Sequence, residues 1–214
     1  MVKVMVMHEL LNKIANYYIE KYFKWLINSE FQENTIAVFE LLECRQKMLY
    51  TRSTPYTIIN TIINPSSLIG ILVHEGLDTI LKHINKSSIF SKKVIIDNAE
   101  YTINGWPDYY DGEKIIEFKV STIPIKEPDS RHVMQVRLYM WLTNCREGYL
   151  TYITPRKILT YRIENPATDD EVKELLKNWP SPRDSNECMQ CMFRNVCTYA
   201  VEKKREEVEK QQST

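Results

Sequence analysis

Shortly before residue 94 the hydrophobic period of the chain changes from helical to alternating, and that change limits the fold more than any other feature. Upstream, Leu10, Leu11, Ile14, Tyr18, Tyr22, Phe23 and Leu26 recur at helical spacing and predict a long first helix. A second helical stretch covers roughly Ala37–Tyr50 and carries Cys44. Asn64-Pro65-Ser66 is a helix start signal. The helix it opens runs to about His83, presents Leu68, Ile69, Leu72, Leu77, Ile80 and Leu81, and has His74 in its middle. Downstream, Val94–Asp97, Tyr101–Gly105 and Lys114–Val120 read as strands, with Asp111-Gly112 as a turn before the last. A helix at about Ser130–Thr143, strands at Gly148–Ile153 and Ile158–Ile163, and a helix near Thr168–Asn178 follow. A charged helical tail, Val201–Gln212, comes last. The expected class is α/β, a central mixed β-sheet flanked by helices.

The 214 residues suit a single domain with a real core. No run approaches the roughly 18 apolar residues of a membrane span. Met1–Met7 has neither the length nor the small-residue cleavage site of a signal peptide, so a cytoplasmic protein is expected. In that reducing compartment five cysteines point to metal or redox chemistry rather than disulfides. The 28 basic and 28 acidic residues cancel, which disfavours binding nucleic acid through phosphates alone but leaves room for a local basic strip.

The stretch richest in chemistry is Gly105-Trp106-Pro107-Asp108 followed by Glu117-Phe118-Lys119. Side chains two apart on a strand share a face, so Glu117 and Lys119 point one way while Ile116, Phe118 and Val120 point into the core. A symmetric two-residue turn at Asp111-Gly112 pairs Tyr110 with Glu113 and Asp108 with Ile115. Asp108 then lies diagonal to Glu117 on the same face; a three-residue turn puts it on the other. Two carboxylates and a lysine on one face can hold Mg²⁺ or Mn²⁺ and activate a water against a phosphate. The plainer alternative is a salt bridge on a solvated strand. His74, taken alone, reads as a satisfied core or interface residue. Gln135 and Tyr139 share a helical face with Arg131 one turn earlier, a row suited to a DNA backbone or to capping the sheet edge.

Cys188-x-x-Cys191 and Cys197 place three thiolates within ten residues, and a fourth ligand comes from Cys44 or Cys145. Four thiolates suit a 4Fe–4S cluster or a tetrahedral zinc, and spacing does not separate the two. No Gly-x-x-x-x-Gly-Lys-Ser/Thr motif is present, so the chain has no ATPase engine of its own.

In order along the chain stand Cys44 with Arg45-x-Lys47-x-x-Tyr50, His74, Gly105-x-x-Asp108, Glu117-x-Lys119, Gln135-x-x-x-Tyr139, then Cys188, Cys191 and Cys197. This ordered set, over about residues 40–200, resembles the CRISPR-associated RecB-like iron–sulfur nucleases, the fourth Cas family, within the PD-(D/E)xK superfamily. The resemblance implies a RecB-like, restriction-endonuclease-like core with a helical, cysteine-ligated iron–sulfur module. It divides the single domain 1–214 into an N-terminal helical part (about 1–66), a nuclease core (about 67–180) and a C-terminal cluster part (about 181–214) joined to Cys44. It implies that His74, Asp108, Glu117 and the Phe118 carbonyl hold Mn²⁺ or Mg²⁺, and that Lys119 is the catalytic lysine. Gln135 and Tyr139 would position the substrate strand. Cys44 becomes the fourth ligand of a structural 4Fe–4S cluster, and Cys145 a plain thiol. The implied activity is exonucleolytic trimming of single-stranded DNA or DNA ends, with CRISPR adaptation proteins as partners. The 13 tyrosines could stack unpaired bases. A non-catalytic nucleic-acid adaptor and a cluster-bearing redox protein are the rival classes. Metal-dependent cutting separates them from a nuclease.

Overall fold

The computed structural model describes residues 34–54, 64–179 and 185–200, with residues 9, 12–14, 16, 17 and 20 as further helical positions. Most of the expected first helix, including Leu10, Tyr22 and Leu26, and the tail Val201–Gln212 lie outside the described residues. In chain order the elements are β1 (Thr35–Ala37), α1 (Val38–Leu41), α2 (Arg45–Ser53), α3 (Pro65–Leu81), β2 (Phe90–Ile96), β3 (Ala99–Gly105), β4 (Tyr109–Tyr110), β5 (Lys114–Val120), α4 (Ser130–Thr143), β6 (Glu147–Ile153), β7 (Ile158–Ile163), α5 (Asp169–Lys177) and α6 (Ser185–Gln190).

The fold is mixed α/β, but the strands form two sheets rather than one. One has the order β1-β3-β2 and the other β4-β5-β6-β7, and each combines one parallel with antiparallel pairings. Helix α4 touches strands of both sheets and joins them into one core. Seven of its residues are buried, Gln135 and Trp141 among them, so it is covered nearly all round, as a central helix must be. Its ends are set locally. The Asp129 carboxylate accepts from the Arg131 N–H at the start, and Asn144 takes a left-handed φ of 56° at the stop.

Gly148 on β6 lets α4 approach this closely. A Cβ there would lie 2.6 Å from both Val136 Cγ1 and Met140 Sδ. Gly148→Ala is therefore expected to lower stability by about 1–3 kcal/mol through overpacking. Chemical denaturation checks this, and an unchanged midpoint would show that α4 can back away freely.

Three sequence expectations change here. The stretch Ala37–Tyr50 is not one helix: β1 precedes it, and it breaks into α1 and α2 with Cys44 as the N-cap of the second. The buried, bidentate Arg52–Glu40 ion pair clamps α2 to α1, and Arg52 also donates to the Thr35 carbonyl. On α3, capped as expected by Asn64, no residue is fully buried, and Ile69, Leu72 and Ile80 stand exposed on the side away from His74. Finally, four residues, 111–114, separate the last paired residues of β4 and β5. Tyr110 pairs with Ile115 and Tyr109 with Ile116, not Tyr110 with Glu113. Only Gly112 has positive φ (107°), whereas a two-residue type I′ turn needs it at both central positions. Asp111 Oδ1 closes the loop by accepting from the N–H groups of Glu113 and Lys114, which holds its carboxyl far below the usual range. No helix among the described residues is long and apolar enough to cross a membrane.

Candidate active site

The register of the β4–β5 hairpin differs from expectation by two residues, and a slip of two preserves which face each side chain takes. Continuing the pairing one step beyond Tyr109–Ile116 puts Asp108 opposite Glu117. The face they share is the covered one. Ile115 and Glu117 are buried, Glu117 to 3% exposure, whereas Ile116, Phe118 and Val120 are only half-buried. The expectation that the latter three point into the core is thus reversed, because α4 lies over the Glu117 face. A solvated surface salt bridge is excluded by the same burial.

Six side chains meet there. His74 Nδ1 on α3 lies 3.1 Å from Asp108 Oδ1. Asp108 Oδ2 accepts from the Phe118 N–H at 2.8 Å. Glu117 Oε1 accepts from Lys119 Nζ at 2.8 Å and from Gln135 Nε2 at 2.9 Å, and the same Gln135 nitrogen reaches Tyr139 Oη at 2.9 Å. Glu117 Oε2 is buried with no hydrogen-bond partner among the described residues. A buried, unsatisfied carboxylate oxygen is costly, and a structure rarely keeps one without a use.

Pro107, just ahead of Asp108, brings no N–H to this edge. In a strand the N–H and C=O of one residue point to the same side, so the Phe118 carbonyl faces β4 as its N–H does. The Pro107 carbonyl is itself taken by the Ser87 hydroxyl.

Burial pushes the Glu117 carboxyl up to about 7, the charge of Asp108 adds to this, and Lys119 opposes it. His74 is raised chiefly by its hydrogen bond to Asp108, which outweighs burial. Burial presses Lys119 down, but the charge and hydrogen bond of Glu117 prevail and it keeps its proton. As the side chains stand, no three His, Cys, Asp or Glu groups among the described residues close round a single ion. Asp108 has turned to His74 and Glu117 to Lys119. Even so, the donor set fits a divalent cation: an orphaned carboxylate oxygen, a second carboxylate, the nearby Phe118 backbone carbonyl, and an imidazole.

The structure brings Gln135 and Tyr139 to the site but separates Arg131 from them. Tyr139 is 4% exposed, so it supports Gln135 and cannot stack on a base. Arg131 lies on the rim, with its guanidinium engaged by Asp129. Two neighbours of Lys119 escaped the sequence reading. Tyr152 is its partner across the parallel pair, and the Tyr152 hydroxyl meets His132 Nδ1 at 2.9 Å and the Asp129 N–H at 3.0 Å. Burial and then the charge of Lys119 push His132 down to about 4, so it is a neutral imidazole. Tyr152, His132, Val120 and Ser121 line an open trough beside Lys119. A parallel partner is set by tertiary packing, and no local signal announces it.

Away from this site, Cys44, Cys188, Cys191 and Cys197 line one pocket together with Lys47 and Tyr50. The Cys44 N–H donates to Glu187 Oε1 across 143 residues at 2.8 Å, and the Tyr50 ring stacks on Phe193. Burial raises the Cys191 thiol, and the neighbouring Cys44 and Cys188 add to it. No disulfide joins any of the five cysteines. Cys145 belongs to the core under α4, with its sulfur against the Glu113 carbonyl.

By architecture, then, the chain is a mixed α/β protein carrying a buried carboxylate–lysine–histidine site on one sheet face. No family model matches the chain. The CRISPR-associated exonuclease Cas4 of Saccharolobus solfataricus is 29% identical over 196 residues, spanning 86% of this chain and 97% of its own. The crystal structure of SSO0001 superposes with a TM-score of 0.77 at 26% identity, covering 94% of this chain and 100% of that one. An alkaline exonuclease from Laribacter hongkongensis is only loosely alike, with a TM-score of 0.42 at 12% identity. The chain is thus similar over most of its length to a CRISPR-associated exonuclease, the resemblance that the order of its motifs implied.

Proposed function

We propose that this chain is a divalent-metal-dependent DNA exonuclease that trims single-stranded DNA or overhanging ends, in CRISPR spacer acquisition or a related DNA-processing role. The observation that carries the reading is the buried, unpartnered Glu117 Oε2 beside Asp108 and His74. Homology to a CRISPR-associated exonuclease supports it. His74, Asp108, Glu117 and the Phe118 carbonyl hold Mn²⁺ or Mg²⁺. The cation, when bound, supplies charge to phosphate oxygens and acidifies a water. Lys119, protonated beside the open trough, orients the incoming water and offsets charge growing on the phosphate. Gln135 and Tyr139 fix the Glu117 carboxylate in one orientation. Cys44, Cys188, Cys191 and Cys197 hold a 4Fe–4S cluster that fastens the C-terminal segment to α2 without entering the reaction.

Single-stranded DNA labelled at either end, incubated with Mn²⁺ or with chelator, tests the activity. Progressive shortening with Mn²⁺ only, and resistance of covalently closed duplex, is the expected pattern. Sequence-specific cleavage inside closed duplex would replace trimming with a restriction-type activity.

The protonation of the site sets its pH response. Glu117 and His74 both have raised pKa values, so each favours its proton at low pH and releases it as pH rises. Mn²⁺ has to displace those protons. The Mn²⁺ concentration for half-maximal cutting is expected to fall about tenfold per pH unit, per displaced proton, between pH 6 and 7 and to level off above. A requirement independent of pH over that range would show that these groups are not the ligands.

A further inference from the structure

The loop after α3 fastens together the two elements that carry His74 and Asp108. The Asn85 N–H donates to the Leu81 carbonyl at 2.9 Å, which makes Asn85 an extension of the last turn of α3. Its side chain reaches the other element. Nδ2 donates to the Asp108 carbonyl at 2.7 Å, while Oδ1 accepts from the Tyr110 N–H at 3.0 Å and from the Ser87 N–H at 2.8 Å. Next to it, the Lys86 N–H donates to the Tyr110 carbonyl at 2.7 Å and the Ser87 hydroxyl donates to the Pro107 carbonyl. Residues 85–87 thus serve the outer edge of the 107–110 segment as a neighbouring strand would.

That segment needs such a partner. Strand β4 has only two residues, and Trp106-Pro107-Asp108 is irregular backbone ahead of it. From the inner side Asp108 is held through its carboxylate, by the Phe118 N–H. On the outer side the Asn85 amide uses its donor on the Asp108 carbonyl and its acceptor on the Tyr110 N–H at once. An aspartate there could only accept, and a glutamine is one methylene too long for both contacts.

We propose that Asn85 is a positioning residue for the cation site, fixing the distance between His74 and Asp108. The inference rests on the reading above that these two side chains bind a divalent cation. Partners that orient ligands in this way typically change metal affinity 10- to 100-fold when removed.

The test is Mn²⁺ binding by the full chain without DNA, followed by electron paramagnetic resonance of free Mn²⁺, with unfolding in chelator measured alongside. Asn85→Ala is expected to raise the Mn²⁺ dissociation constant 10- to 100-fold, with cutting at saturating Mn²⁺ within a few-fold of wild type. A purely structural role would lower the unfolding temperature and leave the dissociation constant unchanged, and that result overturns the proposal. Asn85→Asp keeps the two accepted hydrogen bonds, so the loop retains its fold, and loses the one to the Asp108 carbonyl. By charge alone an added carboxylate tightens cation binding; positioning by Asn85 demands that binding weaken, and tighter binding overturns it. Wild-type protein that binds no Mn²⁺ dependent on Asp108 would defeat the functional reading itself. Normal wild-type binding with unaltered Asn85 variants would defeat only this inference.

Discussion

Lys119→Ala is expected to slow the cutting of single-stranded DNA about a thousandfold at saturating Mn²⁺, with the fold preserved and Mn²⁺ still bound. Among the described residues Lys119 is the cation bonded to Glu117, at 2.8 Å, and its partner across the sheet, Tyr152, lines the trough. Its removal would take away the proposed charge compensation at the phosphate but none of the proposed cation ligands. Glu117 tolerates the loss in the metal-free protein because burial already brings its carboxyl near neutrality at pH 7. Asp108→Ala has a different signature. It removes a ligand and leaves the Phe118 N–H without its acceptor, so cutting and Mn²⁺ affinity should fall together. Near-wild-type rates in either variant would remove the hairpin from the reaction.

Cys44→Ser is expected to bleach the broad visible absorption of anaerobically purified protein and to lower its unfolding temperature by roughly 10 °C or more. Cys44 lies at the start of α2, while Cys188, Cys191 and Cys197 lie near the end of the described chain. A centre shared by all four closes a loop of more than the 143 residues between Cys44 and Glu187, and the chain-entropy cost of reopening a loop of that size is about 4–5 kcal/mol. Cys145→Ser should keep the colour, since Cys145 packs in the core and does not line the cysteine pocket. Bleaching by Cys145→Ser and not by Cys44→Ser would reverse the assignment. A colourless protein containing zinc would keep the four ligands and change the metal.

Local signals located most of the elements. Strand β5 and helix α4 fall where alternation, Asp129 and Asn144 put them, because their boundaries depend on side chains within a few residues. Where several elements must agree, the sequence was silent or misleading. Alternation marks two faces on β5, and hydrophobicity assigns the core to Ile116 and Phe118. The helix that in fact covers Glu117 is placed by Gly148 and the parallel β5–β6 pairing, which are tertiary choices. Because the register differs by an even number of residues, Asp108 and Glu117 share a face as expected, although Asp108 lies opposite Glu117 rather than Ile115. Asn85 carried no signal, since its meaning comes from a segment 23 residues away. The break at Cys44 was hidden by helical spacing on both sides of it, and shows only once β1 and the Arg52–Glu40 pair are in place.

The central claim is that one sheet face holds a divalent cation between Asp108, Glu117 and His74. Anomalous scattering from crystals of the wild-type protein soaked in Mn²⁺ tests it most directly. A single strong peak within bonding distance of Asp108, Glu117 Oε2 and the His74 ring, absent in Asp108→Ala crystals, is the predicted result. Manganese bound elsewhere, with Glu117 still paired to Lys119 and Asp108 to His74, would contradict it.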